Sequence, residues 1–152
     1  MRPPTPHDGQ ALWRLADEVG LDLNSPYFYV LWGDRFAGTS TVADAGTGEI
    51  RGFVAGLQVP GDPGTLFVWQ IGVALSARRT GLGGRMLDEL IDRTGARWLE
   101  ATVTPANEAS AALFTGVSER HGAELVVSPA YASDLFPPGH DAELLYRIGP
   151  LA

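Results

Sequence analysis

The sequence predicts one α/β domain spanning residues 1–152, a mixed central sheet of six to seven strands flanked by helices. Three observations lead there. The length of 152 residues is that of one ordinary domain, enough to bury a core without metal or disulfide staples. Strand-like and helix-like segments alternate through the middle of the chain, which calls for crossover connections between strands. No internal repeat or linker-like stretch divides the chain.

The elements follow in order. After the Pro-rich opening, Ala11, Leu12, Leu15, Ala16 and Val19 recur at helical spacing from about Asp8, and Gly20 ends the pattern. In "NSPYFYVLWGDRFAG", Asn24 or Ser25 can cap a second, aromatic-rich helix with Pro26 in its first turn. Three strands are expected next, "TSTVADA", "EIRGFVAGLQVP" and "TLFVWQIGVAL", separated by the turns "GTG" and "PGDPG". From Gly83, the positions Met86, Leu87, Leu90 and Ile91 mark an amphipathic helix. "ARWLEATVT" then reads as a strand, and "NEASAALFTGVSERHG" as a helix started by Asn107 and stopped by Gly122. "AELVVSP" and "AELLYRI" are strands flanking the loop "AYASDLFPPGHD".

Composition narrows the function. Eleven Lys plus Arg against eighteen Asp plus Glu give a formal charge of −7, which disfavours nucleic acid and mildly favours cationic ligands. Cysteine is absent, removing thiol nucleophiles and thiolate metal sites. No histidine pair has metal-ligand spacing, and no metal is expected. No apolar run approaches membrane-spanning length, and "MRPPTPHDG" lacks a signal-peptide pattern, so a cytoplasmic protein without membrane contact is expected.

The stretch "ARRTGLGGRML" poses an electrostatic problem. A helix N-terminus carries roughly half a positive charge, yet Arg78, Arg79 and Arg85 gather at this one. An anionic ligand resolves the conflict: free amides and arginines receive phosphate oxygens where glycines leave the backbone bare. A P-loop would need a Gly-Lys-Ser/Thr ending, and the glycines at 81, 83 and 84 do not match the dinucleotide fingerprint.

The pattern Arg/Gln-x-x-Gly-x-Gly does match, as Arg78-Arg79-Thr80-Gly81-Leu82-Gly83. With the preceding "FVWQIGVAL" and the following "TPANEASAALF", it resembles the GCN5-related N-acetyltransferases. The resemblance implies that Arg78, Arg79, Thr80, Gly81, Leu82, Gly83 and Gly84 hold the pyrophosphate of acetyl-CoA. It also implies that Ile71, Gly72 and Val73 supply a backbone amide to the thioester oxygen, with Gly72 the natural place for a bulge, and that Asn107 completes the cofactor site. "LDLNSPYFYVLW", "LEATVTPANEASAALF" and "SDLFPPGHDAELLYRIGP" are similar, within that superfamily, to the diaminobutyrate acetyltransferases of ectoine synthesis. That likeness implies acetyl transfer to the γ-amine of L-2,4-diaminobutyrate by a homodimer in a bacterium meeting osmotic stress.

The chemistry needs a route for a proton to leave. An aliphatic amine has a pKa near ~10, and a nearby carboxylate can orient the cation and accept its proton, directly or through water. The diaminobutyrate resemblance implies that Asp22, Tyr27, Trp69, His140 and Glu143 line the diamino-acid pocket. By parity with Phe67, Ile71 and Val73, Trp69 also reads as a core residue. Glu100 and Thr102 share a polar face of a strand that would otherwise be apolar on both sides, and are taken as pocket residues. Thr102 stands where related enzymes often have a catalytic Glu, and Phe114 where they have a tyrosine acid. Glu143 and Asp22 are therefore the leading proton acceptors, Glu143 because it interrupts an apolar strand and wants a cationic partner, substrate or Arg147. His140 can face the same site only from a loop or across a bulge, given its strand parity. His7 and His121 have no recognisable partners and are read as surface residues. The competing expectations are an acetyltransferase for a polyamine or another amino acid, and a domain that binds acetyl-CoA for regulation without turnover.

Overall fold

A computed structural model describes residues 1–152. Its helices are α1 (Gly9–Glu18), α2 (Pro26–Arg35), α3 (Leu82–Thr94) and α4 (Glu108–His121). Its strands are β1 (Thr41–Asp44), β2 (Ile50–Val59), β3 (Asp62–Val73), β4 (Trp98–Val103), β5 (Glu124–Tyr131) and β6 (Glu143–Gly149). The local signals explain most boundaries. Ser25 precedes α2 with Pro26 in its first turn, and the Asn107 side chain accepts from the Ser110 N–H at 3.0 Å to cap α4. Gly95 and Gly122 end α3 and α4 in the left-handed conformation.

The six strands form one sheet in the order β1-β2-β3-β4-β6-β5, with β3 and β4 parallel and every other neighbouring pair antiparallel. The α3 crossover supplies the parallel pair. The last strand inserts between β4 and β5, an arrangement that local patterning does not encode. The expected turn "PGDPG" is shorter than its glycines suggest. Val59 pairs with Asp62, so Pro60 and Gly61 alone make the turn and Asp62–Gly64 continue into β3.

Each face of the sheet has its own core. Met86, Leu87, Leu90 and Ile91 of α3 pack with Phe114 and Val117 of α4 onto Leu66, Val68, Leu99 and Ile148. On the opposite face, Leu12, Leu15 and Ala16 of α1 and Tyr29 and Trp32 of α2 cover Val42, Phe53 and Ala55. Burying large side chains of this kind contributes about 1.5–3 kcal/mol each, so the two helix layers hold the sheet from both sides.

Two irregularities shape the site. Ala55 pairs with Gln70 but Gly56 pairs with Val68, leaving Trp69 as the extra residue of a β-bulge. The sequence reading put the bulge at Gly72; there, instead, a side chain would meet the Phe53 ring at 2.7 Å, so Gly72 serves close packing. The bulge also overturns the parity argument for Trp69. Leu66 and Val68 face the α3–α4 core before it, Ile71 and Val73 after it, and Trp69 is 51% exposed. The second irregularity is a parting of strands: β3 and β4 pair only from Thr65↔Trp98 to Val68↔Ala101, beyond which β4 continues with β6 alone.

Candidate active site

A cleft of about 650 Å³ opens where β3 and β4 part, a volume suited to a small-molecule ligand. Beyond the parting, β3 has an open edge whose polarity follows from alternation. The Ala74 N–H bonds the Arg51 carbonyl on β2 at 2.8 Å, so Gly72 also turns its backbone groups toward β2. Ile71 and Val73 consequently present N–H and C=O to the open edge. Of the three residues expected to offer an amide there, Gly72 is corrected: its amide belongs to the sheet.

The glycine loop follows β3. Arg79 has φ 61 and Gly81 φ 75, two left-handed residues bracketing Thr80. An arginine in that region is strained, as befits a loop shaped for a ligand. No side chain caps α3, and the first backbone bond at its start runs from the Arg85 N–H to the Gly81 carbonyl. The amides of Leu82, Gly83 and Gly84 are thus left without intrahelical acceptors at the positive end of the helix dipole. Arg78, Arg79 and Arg85 form no ion pair with any acidic residue. Arg85 instead donates to the Thr80 carbonyl at 2.7 Å, holding the loop. Gly84 has a further role, since a Cβ there would lie 2.8 Å from the Arg120 guanidinium. Arg120 crosses from α4 over this first turn of α3, fixed by two bonds of 2.9 and 3.0 Å to Asp88.

Asp88 also contacts His121 Nε2 at 3.0 Å, so His121 has a partner and is not a bare surface residue. Burial pushes the Asp88 carboxyl up, but its bonds to Arg120 and His121 outweigh that and hold it below the usual carboxylate range.

Seven of the expected site residues meet in the cleft wall: Asp22, Trp69, Ile71, Thr102, Asn107, His140 and Glu143. His140 reaches it from the loop before β6, which resolves the parity problem. Its ring stacks on Phe136 with centroids 4.0 Å apart, its Nδ1 lies 2.6 Å from the Asp141 carbonyl, and its Nε2 is 3.9 Å from Glu143 Oε1. Since the carbonyl can only accept, Nδ1 carries a proton and Nε2 is turned toward the carboxylate. Glu143 opens β6 with its side chain 17% exposed.

Two of the residues expected in the diamino-acid pocket lie elsewhere. Glu100 is directly opposite Arg147 across β4 and β6 and is ion-paired with it, while the Arg147 guanidinium covers the Trp98 ring at 4.3 Å. Cross-strand register thus gives Glu100 a protein partner, and the same pair removes Arg147 as a partner for Glu143. Tyr27, on the first turn of α2, is 69% exposed and is not part of the cleft wall. Val73, which ends the open edge of β3, and the Arg78–Gly84 loop that follows it also lie outside that wall.

The sequence reading missed Gln70, Tyr131 and Phe136, all in the wall. Only Tyr131 and Phe136 carried a signal, as aromatics in the stretch "AYASDLFPPGHD", where Tyr131 proves to end β5. Chemically, the cleft holds the carboxylates of Asp22 and Glu143, several neutral hydrogen-bonding groups, His140, and no Lys or Arg. It is suited to a small cation, and the uncapped amides and unpaired arginines at the start of α3 are suited to an anion. No cluster of three or more His, Asp or Glu side chains could hold a metal.

Comparison with known proteins agrees with this arrangement. Residues 9–116 match the model of the acetyltransferase (GNAT) family. The chain is 47% identical to an L-2,4-diaminobutyric acid acetyltransferase of Streptomyces avermitilis, over 98% of this chain and 87% of that one. It is 44% identical to the enzyme of the same name from Virgibacillus pantothenticus, over 97% and 96%. Among solved structures, diaminobutyrate acetyltransferase EctA from Paenibacillus lautus, in complex with its substrate L-2,4-diaminobutyric acid and coenzyme A, superposes with a TM-score of 0.92. The two share 42% identity over 98% of this chain and 93% of that one.

Proposed function

We infer the reaction from family membership: the chain belongs to the acetyltransferase (GNAT) family and, within it, to the L-2,4-diaminobutyric acid acetyltransferases. It is an acetyl-CoA-dependent N-acetyltransferase that moves the acetyl group to the γ-amine of L-2,4-diaminobutyrate, the acetylation step of ectoine synthesis. The observation that carries the reading is the cleft's charge: two carboxylates and no Lys or Arg, matched to a substrate with two ammonium groups.

The residue roles are part of the proposal. Acetyl-CoA fits the amides of Leu82, Gly83 and Gly84 and the free arginines with its pyrophosphate, and the open edge of β3 with its pantetheine arm. It supplies the activated thioester. Asp22, exposed at the cleft rim, orients the diamine, and the more enclosed Glu143 accepts the γ-ammonium proton, directly or through water. The freed nitrogen lone pair attacks the thioester carbon, the tetrahedral intermediate gives up its surplus N–H proton to water as the carbon–sulfur bond breaks, and the departing thiolate takes up a proton through water, which leaves amide and free thiol. The Ile71 N–H donates to the oxygen that gains charge. Trp69, packed near Phe28 and Trp32 at 6.0 and 5.9 Å, gives the substrate's methylene chain an apolar wall. Thr102 and Asn107 provide neutral donors.

We take residues 1–152 as one acetyltransferase domain working in the cytoplasm under osmotic stress. Two copies associate, a reading supported by the edge strand β5, which leaves Val126 and Val127 47% and 46% exposed. A panel of amines with acetyl-CoA, followed by thiol release and product mass, tests the assignment. Diaminobutyrate should be preferred and NMR should locate the acetyl group on the γ-nitrogen. Preference for spermidine or lysine would overturn the substrate, and acetyl-CoA binding without turnover at saturating diaminobutyrate would indicate a regulatory domain.

A further inference from the structure

Gln70 follows the bulged Trp69 and joins three parts of the molecule. Its Nε2 donates to the Asp22 carbonyl at 2.6 Å, and its Oε1 accepts from the Tyr29 hydroxyl at 3.0 Å. The chemistry fixes this orientation. A carbonyl oxygen can only accept, so the amide nitrogen must face Asp22 and the amide oxygen must face Tyr29. Tyr29 is itself buried, 1% exposed in the core between α2 and the sheet, with its ring 4.9 Å from Phe28 and 6.2 Å from Phe53. The segment being held needs such a partner: residues 22–24, between α1 and α2, make no backbone–backbone hydrogen bond.

We propose that Gln70 is a positioning residue, a latch that fixes the Asp22 segment against the buried Tyr29 and so sets where the Asp22 carboxylate stands in the cleft. The bulge gives the latch its reach. It adds a residue to β3 just before Gln70 and turns the strand's side chains over at the cleft mouth. The kinetic consequence rests on the diamine-acetyltransferase reading; the structural one does not.

Two substitutions separate the bonds from the packing. Gln70→Glu keeps the acceptor for Tyr29 but sets a carboxylate against the Asp22 carbonyl, and Gln70→Met keeps the shape and removes both bonds. In both, 15N order parameters of residues 22–24 should fall from about 0.85 to below about 0.6. KM for diaminobutyrate should rise about tenfold, the scale of one lost hydrogen bond, while acetyl-CoA affinity stays within about twofold. Because the latch acts through Asp22, Gln70→Met added to Asp22→Asn should cost far less than it does alone. Unchanged order parameters would overturn the latch. So would equal loss of acetyl-CoA affinity, or a KM penalty that adds in full to that of Asp22→Asn. If the unmodified protein does not acetylate diaminobutyrate, the substrate reading fails and the order parameters alone decide the latch.

Discussion

Replacing Glu143 with Gln changes shape little and removes one negative charge from a side chain 17% exposed at the start of β6. Its neighbourhood makes that charge available to substrate: Arg147 is committed to Glu100, and the nearest basic group is His140 Nε2 at 3.9 Å. An ammonium about 4 Å from the carboxylate gains about 4 kcal/mol at an effective dielectric of about 20. Desolvation and residual water contact reduce this to about 2–3 kcal/mol. That corresponds to about 30- to 150-fold in kcat/KM. Loss of the proton acceptor slows the chemical step by a further factor of about 10²–10⁴, so Glu143→Gln should lower kcat/KM for diaminobutyrate by at least about 10³. Initial rates of thiol release at saturating acetyl-CoA measure this, and calorimetric titration of acetyl-CoA supplies the control, which should move less than about threefold. A kcat/KM within about tenfold of the parent, or a matching loss of acetyl-CoA affinity, would refute the assignment.

Gly81→Val should weaken acetyl-CoA binding about tenfold while leaving diaminobutyrate KM nearly unchanged, because φ 75 costs a β-branched residue about 1–2 kcal/mol and distorts the loop; titration calorimetry checks it. Glu100→Gln should lower stability by about 1–2 kcal/mol in urea unfolding yet leave kcat/KM within about twofold, since its partner is Arg147 and not substrate. The Asp8 carboxyl is held down at about 2, chiefly by the Arg2 guanidinium at 2.8 Å and despite burial, with the Thr5 N–H and hydroxyl adding to the effect. A depressed folded-state pKa contributes stability above the unfolded value near 3.8 that disappears as pH falls toward 2. At most about 2 kcal/mol is involved, discounted because Arg2 is 37% exposed. Asp8→Asn should therefore lower Tm at pH 7 and flatten its pH dependence between about 4 and 2 in scanning calorimetry.

What could be read along the chain was what depends on neighbours in the chain. Ser25 before Pro26, Asn107 before α4 and the left-handed Gly95 and Gly122 act within one helical turn. The glycine loop was legible for the same reason, because Arg78, Arg79, Thr80 and Gly81 shape a helix start from consecutive residues. Glu143 stood out by chemistry, a carboxylate in an apolar strand. Glu100 also reads as a pocket residue from its strand face, and only the register that sets it opposite Arg147 gives it a protein partner instead. Likewise, parity made Trp69 a core residue until one extra residue opposite Ala55 and Gly56 turned the strand over.

The amino-acid sequence by itself determined the α/β class, the helix limits, the glycine loop that starts α3 and the absence of cysteine chemistry. Each follows from short-range periodicity, capping or composition. Tertiary structure alone decided that β6 lies between β4 and β5, that β3 and β4 part beyond Val68 and Ala101, and that Gln70 ties Asp22 to Tyr29. Those choices depend on pairings between distant residues, whose free energy comes from register and burial across the whole sheet, and no local window of sequence contains both partners.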